Sequence, residues 1–416
     1  MTSRGAGGAE SPPSRGLLGN PGFLRFLIAR AQSHLGSAMT TATVPLIAAV
    51  WLRATPGEVA LLVSASFSCL TAGRTVTALV AERTGMRVRA MITIDAALAV
   101  TVGAIPVLAA TGILTMGRLT VLTALSALLA GAYGSFSGPF MFDLIAPDQV
   151  TKANSAISFI GSAAGIAGPG LAGVLIQLLS MPLVLVADAS SYLISIALTL
   201  PFRGRGASRP RDGGPDVSPV GGVRGFLVVF GRGSRTFVLS GGVVSLVNGM
   251  ALALLPVYAI RELGLPANVY AGVLGVGAVG GLLGAVAAPF LESRFGRGQG
   301  AALSGALALG ALCALPAARP GWGAAAGCLA YELVGSFGGA VYVVLMMSSV
   351  ASSVPRRALA RSIASAALVL DLGTAVGAAA GGFVAGFTGV RGALTAGLLA
   401  GATVIAALCA PPFLRR

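Results

Sequence analysis

The chain has 416 residues, of which 55% are hydrophobic and only 10% charged, and its mean hydropathy is +0.88. Soluble globular chains carry roughly 25% charged residues, so this composition excludes a water-covered fold of such a size. The net charge of +15 looks like a nucleic-acid signal, but the 28 basic residues sit in short clusters between long apolar runs, which argues against a nucleic-acid partner.

Residues 1–20, MTSRGAGGAESPPSRGLLGN, are polar and rich in Gly, Pro and Ser. They have neither the apolar core nor the cleavage site of a signal peptide and read as a disordered tail. Apolar stretches follow that are long enough to cross roughly 30 Å of hydrocarbon at about 1.5 Å per residue. They fall at 22–52, 57–81, 90–110, 118–144, 153–179, 183–202, 236–260, 269–290, 300–317, 322–351, 362–387 and 393–410. The chain therefore reads as an all-α integral membrane protein with 12 transmembrane helices. The segment 203–235 contains RGRGASRPRDGGPDVSPVGG and separates six spans from six. It reads as a flexible linker between an N-terminal half (21–202) and a C-terminal half (236–410), with a short tail at 411–416.

Several chemistries are excluded by what the sequence lacks. Lys152 is the only lysine and follows Thr151, so no GxxxxGK[ST] phosphate loop exists. His34 is the only histidine, and no two acidic residues are adjacent, so no metal-hydrolase or aspartate-rich motif exists. Cys69, Cys313, Cys328 and Cys409 all lie in apolar runs without a CxxC pair and read as small hydrophobes. The expectation is a non-enzymatic protein without cofactor or metal, whose work is driven by a gradient.

Arginine placement gives an orientation. One side collects Arg83, Arg87, Arg89, Lys152, Arg203, Arg294, Arg297, Arg356 and Arg357 with the linker and both tails. The other side holds only Arg53, Arg118, Arg261, Arg319 and Arg391. Positive charge stays inside, so both termini are expected in the cytoplasm, with anionic membrane lipids as partners of the basic loops. Arginine almost wholly in place of lysine hints at a GC-rich bacterial genome, hence a bacterial cell membrane.

The halves repeat weakly. Glu82-Arg83-Thr84-Gly85-Met86-Arg87 follows span two, and Glu292-Ser293-Arg294-Phe295-Gly296-Arg297 follows span eight. Pro147 before span five matches Pro355 before span eleven, and Gly165 and Gly173 match Gly373 and Gly381 at the same offset. Parallel six-span repeats mark one large transporter class. With these residues the chain resembles the major facilitator superfamily. The loop after span two in that family reads G-x-x-x-D-R-x-G-R-R, matched here by Arg83, Gly85 and Arg87, with Glu82 in place of the acid, Ala78 of the glycine and Met86 of one arginine. Span five, with Gly161, Gly165, Gly168, Pro169, Gly170 and Gly173, is similar to the helix-bend motif of exporter branches. Asn20-Pro21-Gly22-Phe23, Ala153-Asn154-Ser155 and Asp188 resemble the siderophore and macrolide exporters. The resemblance implies a 12-helix fold of two pseudo-symmetric halves, working as a monomer by alternating access. It implies efflux of a small-molecule substrate against protons, with Glu82, Arg83, Gly85, Arg87, Arg294, Gly296 and Arg297 as gating loops. In the family the acid of the first loop faces the start of span eleven, here near Arg361-Ser362, and latches the halves. An importer or uniporter of the same fold, or a receptor on a transporter body, are the rivals.

Charged residues inside spans cost at least ~2.5 kcal/mol each at the bilayer centre and are therefore functional candidates. Glu332 lies about ten residues, or ~15 Å, into span ten, with no basic residue between Arg319 and Arg356. It is the first proton-coupling candidate, and Asp371 in span eleven is the second. Arg30 and His34, four residues apart on one helix face, are expected with Gln32 and Asn248 to line a polar cavity. Arg74 and Asp95 stand equally far from the Thr84-Gly85 turn, about ~15 Å above it, and are expected to form a buried ion pair. Asp188 in span six is another functional candidate, with reaching water, about five residues from the outer surface, as its alternative; Asp143 at the end of span four is expected to be solvated. Gly275-Val-Gly277-Ala-Val-Gly280 fits GxGxxG formally, but without a strand or a following acid it reads as helix packing.

Overall fold

The computed structural model describes residues 17–83, 87–146, 149–203, 235–354 and 359–408. The described residues are almost entirely helical, without a sheet. The N-terminal half holds α1 (Pro21–Leu46, continued by a wide turn Ile47–Trp51), α2 (Pro56–Arg83), α3 (Arg87–Ala110), α4 (Met116–Leu144), α5 (Val150–Leu178) and α6 (Met181–Thr199). The C-terminal half opens with α7 (Arg235–Val257, continued by Tyr258–Glu262). The helical run Ala267–Gly310 contains Gly296 at φ 73°, which divides it into α8 (267–295) and α9 (297–310). α10 spans Trp322–Ser353, and the run Leu359–Leu408 is divided at Gly389, φ 72°, into α11 (359–388) and α12 (390–408).

Nine stretches among the described residues are long and apolar enough to cross a membrane. Two of them contain the glycine breaks, and α1, with Arg25 and Arg30, is not among the nine. The breaks are reversals. A methyl on Gly300 would lie 3.8 Å from the Leu291 carbonyl, a contact that a straight helix nine residues long cannot make. Gly381 and Gly397 both face Met250 although a straight helix would separate them by about 24 Å. Only glycine takes this left-handed conformation without strain, so one residue turns the chain. The expected loops at 291–299 and 388–392 thus shrink to Gly296 and Gly389. The expected disordered tail also ends early: Leu17–Gly19 form a short turn, and Asn20 caps α1 by accepting from Gly22 N at 2.9 Å and Phe23 N at 3.2 Å. The linker 204–234 and the tails 1–16 and 409–416 lie outside the described residues.

Helix starts follow from local chemistry. Thr55 and Glu58 form a reciprocal box at α2: Thr55 N donates to Glu58 Oε2 at 2.7 Å, and Glu58 N donates to Thr55 Oγ1 at 3.3 Å. Between helices, small residues set the spacing. Methyls on Gly73 and Gly131 would collide with the Leu128 and Leu70 carbonyls, locking α2 to α4. In the other half Gly280 and Gly284 stand against the Leu333 and Phe337 carbonyls, locking α8 to α10 in the equivalent place. α1 packs on α5 as α7 packs on α11. The same two helix pairings therefore recur in both parts of the chain. In lipid, such close backbone approach supplies the van der Waals contact that an apolar solvent cannot drive by exclusion.

The halves meet along α2–α11 and α5–α8. Toward the end carrying Arg53 and Arg261 the seam is tight. A methyl on Gly173 would lie 3.2 Å from Ala271 Cβ and Gly272 N, one on Gly275 would lie 3.1 Å from the Gly170 Cα, and Arg261 donates to the Ala49 carbonyl at 3.0 Å. Toward the linker end it opens. A methyl on Gly161 or Gly165 would meet no other segment within 4 Å, and Phe159 and Phe290 are exposed. α5 runs unbroken through Pro169, and Gly168 and Gly173 serve close packing against α1 and α8.

Candidate functional site

Among the described residues, one cavity is lined mainly by each half. The C-terminal one, about 190 Å³, is lined by Asn248 of α7, Tyr270 and Leu274 of α8, Leu309 of α9, and Tyr331, Glu332 and Ser336 of α10. Glu332 sits in a wide five-residue turn, Tyr331–Gly335, that interrupts α10. Such π-turns carry a local backbone cost and concentrate at functional positions. α8 makes room for the carboxylate: a methyl on Gly277 would lie 2.9 Å from Glu332 Cβ and would collide with Oε2. The GxGxxG glycines therefore do two jobs, Gly280 in packing and Gly277 in accommodating a side chain. Among the described residues no cation pairs with Glu332. The site offers one acid beside an amide and the hydroxyl-bearing side chains Tyr270, Tyr331 and Ser336 in otherwise apolar walls, chemistry suited to holding and releasing a proton.

The N-terminal cavity, about 160 Å³, lies between α1, α2, α3, α4 and α6, and Leu252 of α7 closes it. Leu252 also lines the other cavity, so the two share a wall residue. Asp188 borders this cavity. Of its two readings, functional candidate or water-reaching acid, the second fails, because Asp188 is fully buried. Thr40 Oγ1 donates to its Oδ2 at 2.5 Å and Ser191 Oγ donates to its Oδ1 at 3.3 Å. Gly36 of α1 provides the space, since a methyl there would meet Asp188 Oδ1. The hydroxyls of Ser37, Thr40, Thr41 and Tyr192 were not anticipated as cavity residues. Their signal in the sequence was a glycine followed by hydroxyls one, four and five residues on, Gly36-Ser37 and Thr40-Thr41, inside an apolar helix.

The expected Arg74–Asp95 pair does not form. Arg74 NH1 lies 2.5 Å from Asp371 Oδ2, joining α2 to α11 across the two halves. Asp95 is buried and accepts from Ser195 Oγ of α6 at 2.8 Å. Equal height above a turn fixes depth but not rotation: Arg74 turns to the seam and Asp95 to α6. Asp371 is thereby charge-compensated, unlike Glu332. Neutralising one member, Arg74→Gln or Asp371→Asn, should lower folded yield in membranes more than the double change does. Equal loss in all three variants, measured by fluorescence-detected size exclusion, would deny the coupling.

The other singled-out residues divide. Arg30 NH2 and His34 Nε2 are 2.9 Å apart, and the Arg30 guanidinium sits 5.0 Å from the Tyr133 ring centre. Gln32 donates to the Ser191 carbonyl at 2.6 Å and to the Ala29 carbonyl at 3.3 Å, so its amide ties α1 to α6 instead of facing a cavity. None of these three lines either cavity, whereas Asn248 does. In the first loop, Gly85 and the side chains of Glu82, Arg83 and Arg361 lie outside the described residues. Arg87 NH1 pairs with Asp143 Oδ2 at 2.8 Å, so Asp143 is not merely solvated. In the second loop Arg297 NH1 donates to Ser352 Oγ at 2.6 Å and its Nε pairs with Glu292 at 2.5 Å. Arg87 and Arg297 open α3 and α9 and reach the ends of α4 and α10, the same tie in both halves. Arg294 is exposed.

Residues 26–335 match the family described as Major Facilitator Superfamily. No curated protein matches the sequence. Among solved structures, the nucleoside transporter NupG superposes with TM-score 0.77 at 12% identity, covering 95% of this chain and 99% of its own. A bacterial homologue of the lysosomal transporter Spinster, inward-facing and unoccupied, gives 0.74 at 13% identity over 93% and 96%. A bacterial homologue of the iron transporter ferroportin, also inward-facing, gives 0.67 at 19% identity over 94% and 98%. At these identities the likeness is one of fold.

Proposed function

Because the chain belongs to the Major Facilitator Superfamily, we propose that it exports a small amphipathic compound from a bacterial cell in exchange for protons. The observation that carries the coupling is Glu332: an acid without a cation, placed in a π-turn, against a glycine and beside a cavity. The resemblance of span five to the exporter motif supports the outward direction. The branch of siderophore and macrolide exporters supports a drug-like, antibiotic or siderophore-like cargo and a role in resistance.

In this reading the seam opens toward the linker end, where cargo enters from the cytoplasm. Glu332 loses its proton as cargo binds, the halves rock about the α2–α11 and α5–α8 seams, and a proton from outside restores Glu332 as cargo leaves. Arg74–Asp371 ties the halves in the state described. Protons and lipids are the expected partners, and one chain is the working unit. The test of direction is a resistance and accumulation screen in an efflux-deficient host, where export depletes the cell of compound and import enriches it.

The orientation carries its own prediction. A periplasm-active reporter fused after Arg416 should stay silent, and one inserted between Arg261 and Asn268 should be active. The reverse pattern would invert the cycle.

A further inference from the structure

We propose that the C-terminal cavity holds the end of a neutral amphipathic molecule that carries two adjacent hydroxyls. The inference rests on the transporter reading and deepens it by naming a substrate class. It starts from a difference between the two cavities. Every polar side chain lining the N-terminal cavity is hydrogen-bonded to the protein: its serines and threonines bond to carbonyls of their own helices or to Tyr192 and Asp188. The polar side chains lining the C-terminal cavity are Asn248, Tyr270, Tyr331, Glu332 and Ser336. Among the described residues none of these has a hydrogen-bond partner or a salt-bridge partner. Tyr270 is only 2% exposed, yet its hydroxyl is not one of the sealed unpartnered atoms, which are Thr71 Oγ1, Arg87 Nε, Ser362 Oγ and Ser365 Oγ. The surface it keeps belongs to the cavity it lines.

Unmet polar groups in apolar walls select a ligand that completes them. A ligand that displaces water from such groups loses affinity unless it reproduces the hydrogen bonds of the water. Asn248, Tyr270, Tyr331 and Ser336 each bring donor protons that need acceptors. An ammonium has donors alone and leaves those protons unmet. A carboxylate ligand sets a second negative charge beside Glu332, and among the described residues no Lys, Arg or His lines the cavity to hold it. A hydroxyl both donates and accepts. Two adjacent hydroxyls bring two protons for the two carboxyl oxygens of Glu332, and their lone pairs accept from the phenols, the serine and the amide. Val247, Leu274 and Leu309 supply aliphatic wall for the adjoining carbons. At about 190 Å³ the cavity is smaller than the roughly 300–1,000 Å³ of pockets for drug-sized ligands, so it takes one end of the cargo. A cargo without the diol keeps the apolar contacts and binds more weakly.

The test uses the full chain in lipid nanodiscs and probes sharing one body: 4-phenylbutane-1,2-diol, its dimethyl ether, 4-phenyl-1-butanol and 4-phenylbutylamine. The diol should bind about tenfold more tightly than the mono-alcohol, as one more hydrogen bond to a charged group gives, and more tightly than the ether and the amine. Tyr270→Phe and Ser336→Ala should each lower the diol's advantage over the mono-alcohol about fivefold, the loss of one neutral hydrogen bond. If these variants do not fold, labelling of wild-type Glu332 by dicyclohexylcarbodiimide, read by mass spectrometry, serves instead: the diol should protect Glu332 and the ether should not. Equal affinity for diol and mono-alcohol, tighter binding of the amine, a diol advantage undiminished in both variants, or absence of protection would each overturn the assignment. Proton-coupled transport without diol preference would sink this inference alone. Diol preference without transport would sink the transport reading alone.

Discussion

Glu332→Gln is expected to abolish transport driven by an imposed pH gradient in proteoliposomes while substrate binding and exchange persist. One pH unit across the membrane is worth about 1.4 kcal/mol per proton, enough to hold an about tenfold substrate gradient at one proton per cargo. Glutamine keeps the shape and hydrogen-bonding reach of the side chain in its cavity but carries no exchangeable acid. The variant should therefore relax to equal substrate on both sides. Full gradient-driven transport would remove Glu332 from the mechanism and return the role to Asp371, whose pairing with Arg74 would then have to break in each cycle.

The second large effect concerns Gly377. A methyl there would collide with the Leu246 carbonyl, and from the other side Gly249 stands against the Thr374 carbonyl. α7 and α11 thus touch backbone to backbone. Gly377→Val should force these helices apart and remove most folded protein from the membrane fraction, since overpacking a rigid contact costs about 1–3 kcal/mol or more. Gly339→Ala, at a position with nothing within 4 Å, is the matched control and should fold normally. Equal yields of the two variants would contradict the close approach.

Most of the fold was legible because lipid imposes simple rules. Hydropathy and length placed the apolar stretches, and the arginine loops after spans two and eight correspond to the tie that Arg87 and Arg297 make in both halves. Gly165 and Gly173, in contrast, do not share the contacts of Gly373 and Gly381, and Pro147 and Pro355 lie outside the described residues. What escaped was rotation about helix axes. Arg74 and Asp95 have the right depth for a pair, yet depth says nothing about which neighbour a side chain meets, and α11 is 297 residues away from Arg74 in the chain. The alternative that Asp188 reaches water failed for a related reason: its distance from the span end allowed water, whereas Gly36 and Thr40 of α1 enclose it. That Glu332 has no cationic partner among the described residues was legible, because isolation from basic residues is itself a sequence property. The π-turn around it and the space at Gly277 were not, since neither follows from periodicity.

The central claim is that cargo and protons move in opposite directions through one chain. The most direct measurement follows both at once in proteoliposomes loaded with a pH-sensitive dye and given an outward or inward gradient of ethidium, whose fixed charge moves no proton of its own. In the wild type the ethidium flux should be matched by proton movement in the opposite direction, and in Glu332→Gln ethidium should exchange with the dye unchanged. Ethidium flux with no proton movement in the wild type, or with proton movement intact in Glu332→Gln, would contradict the account.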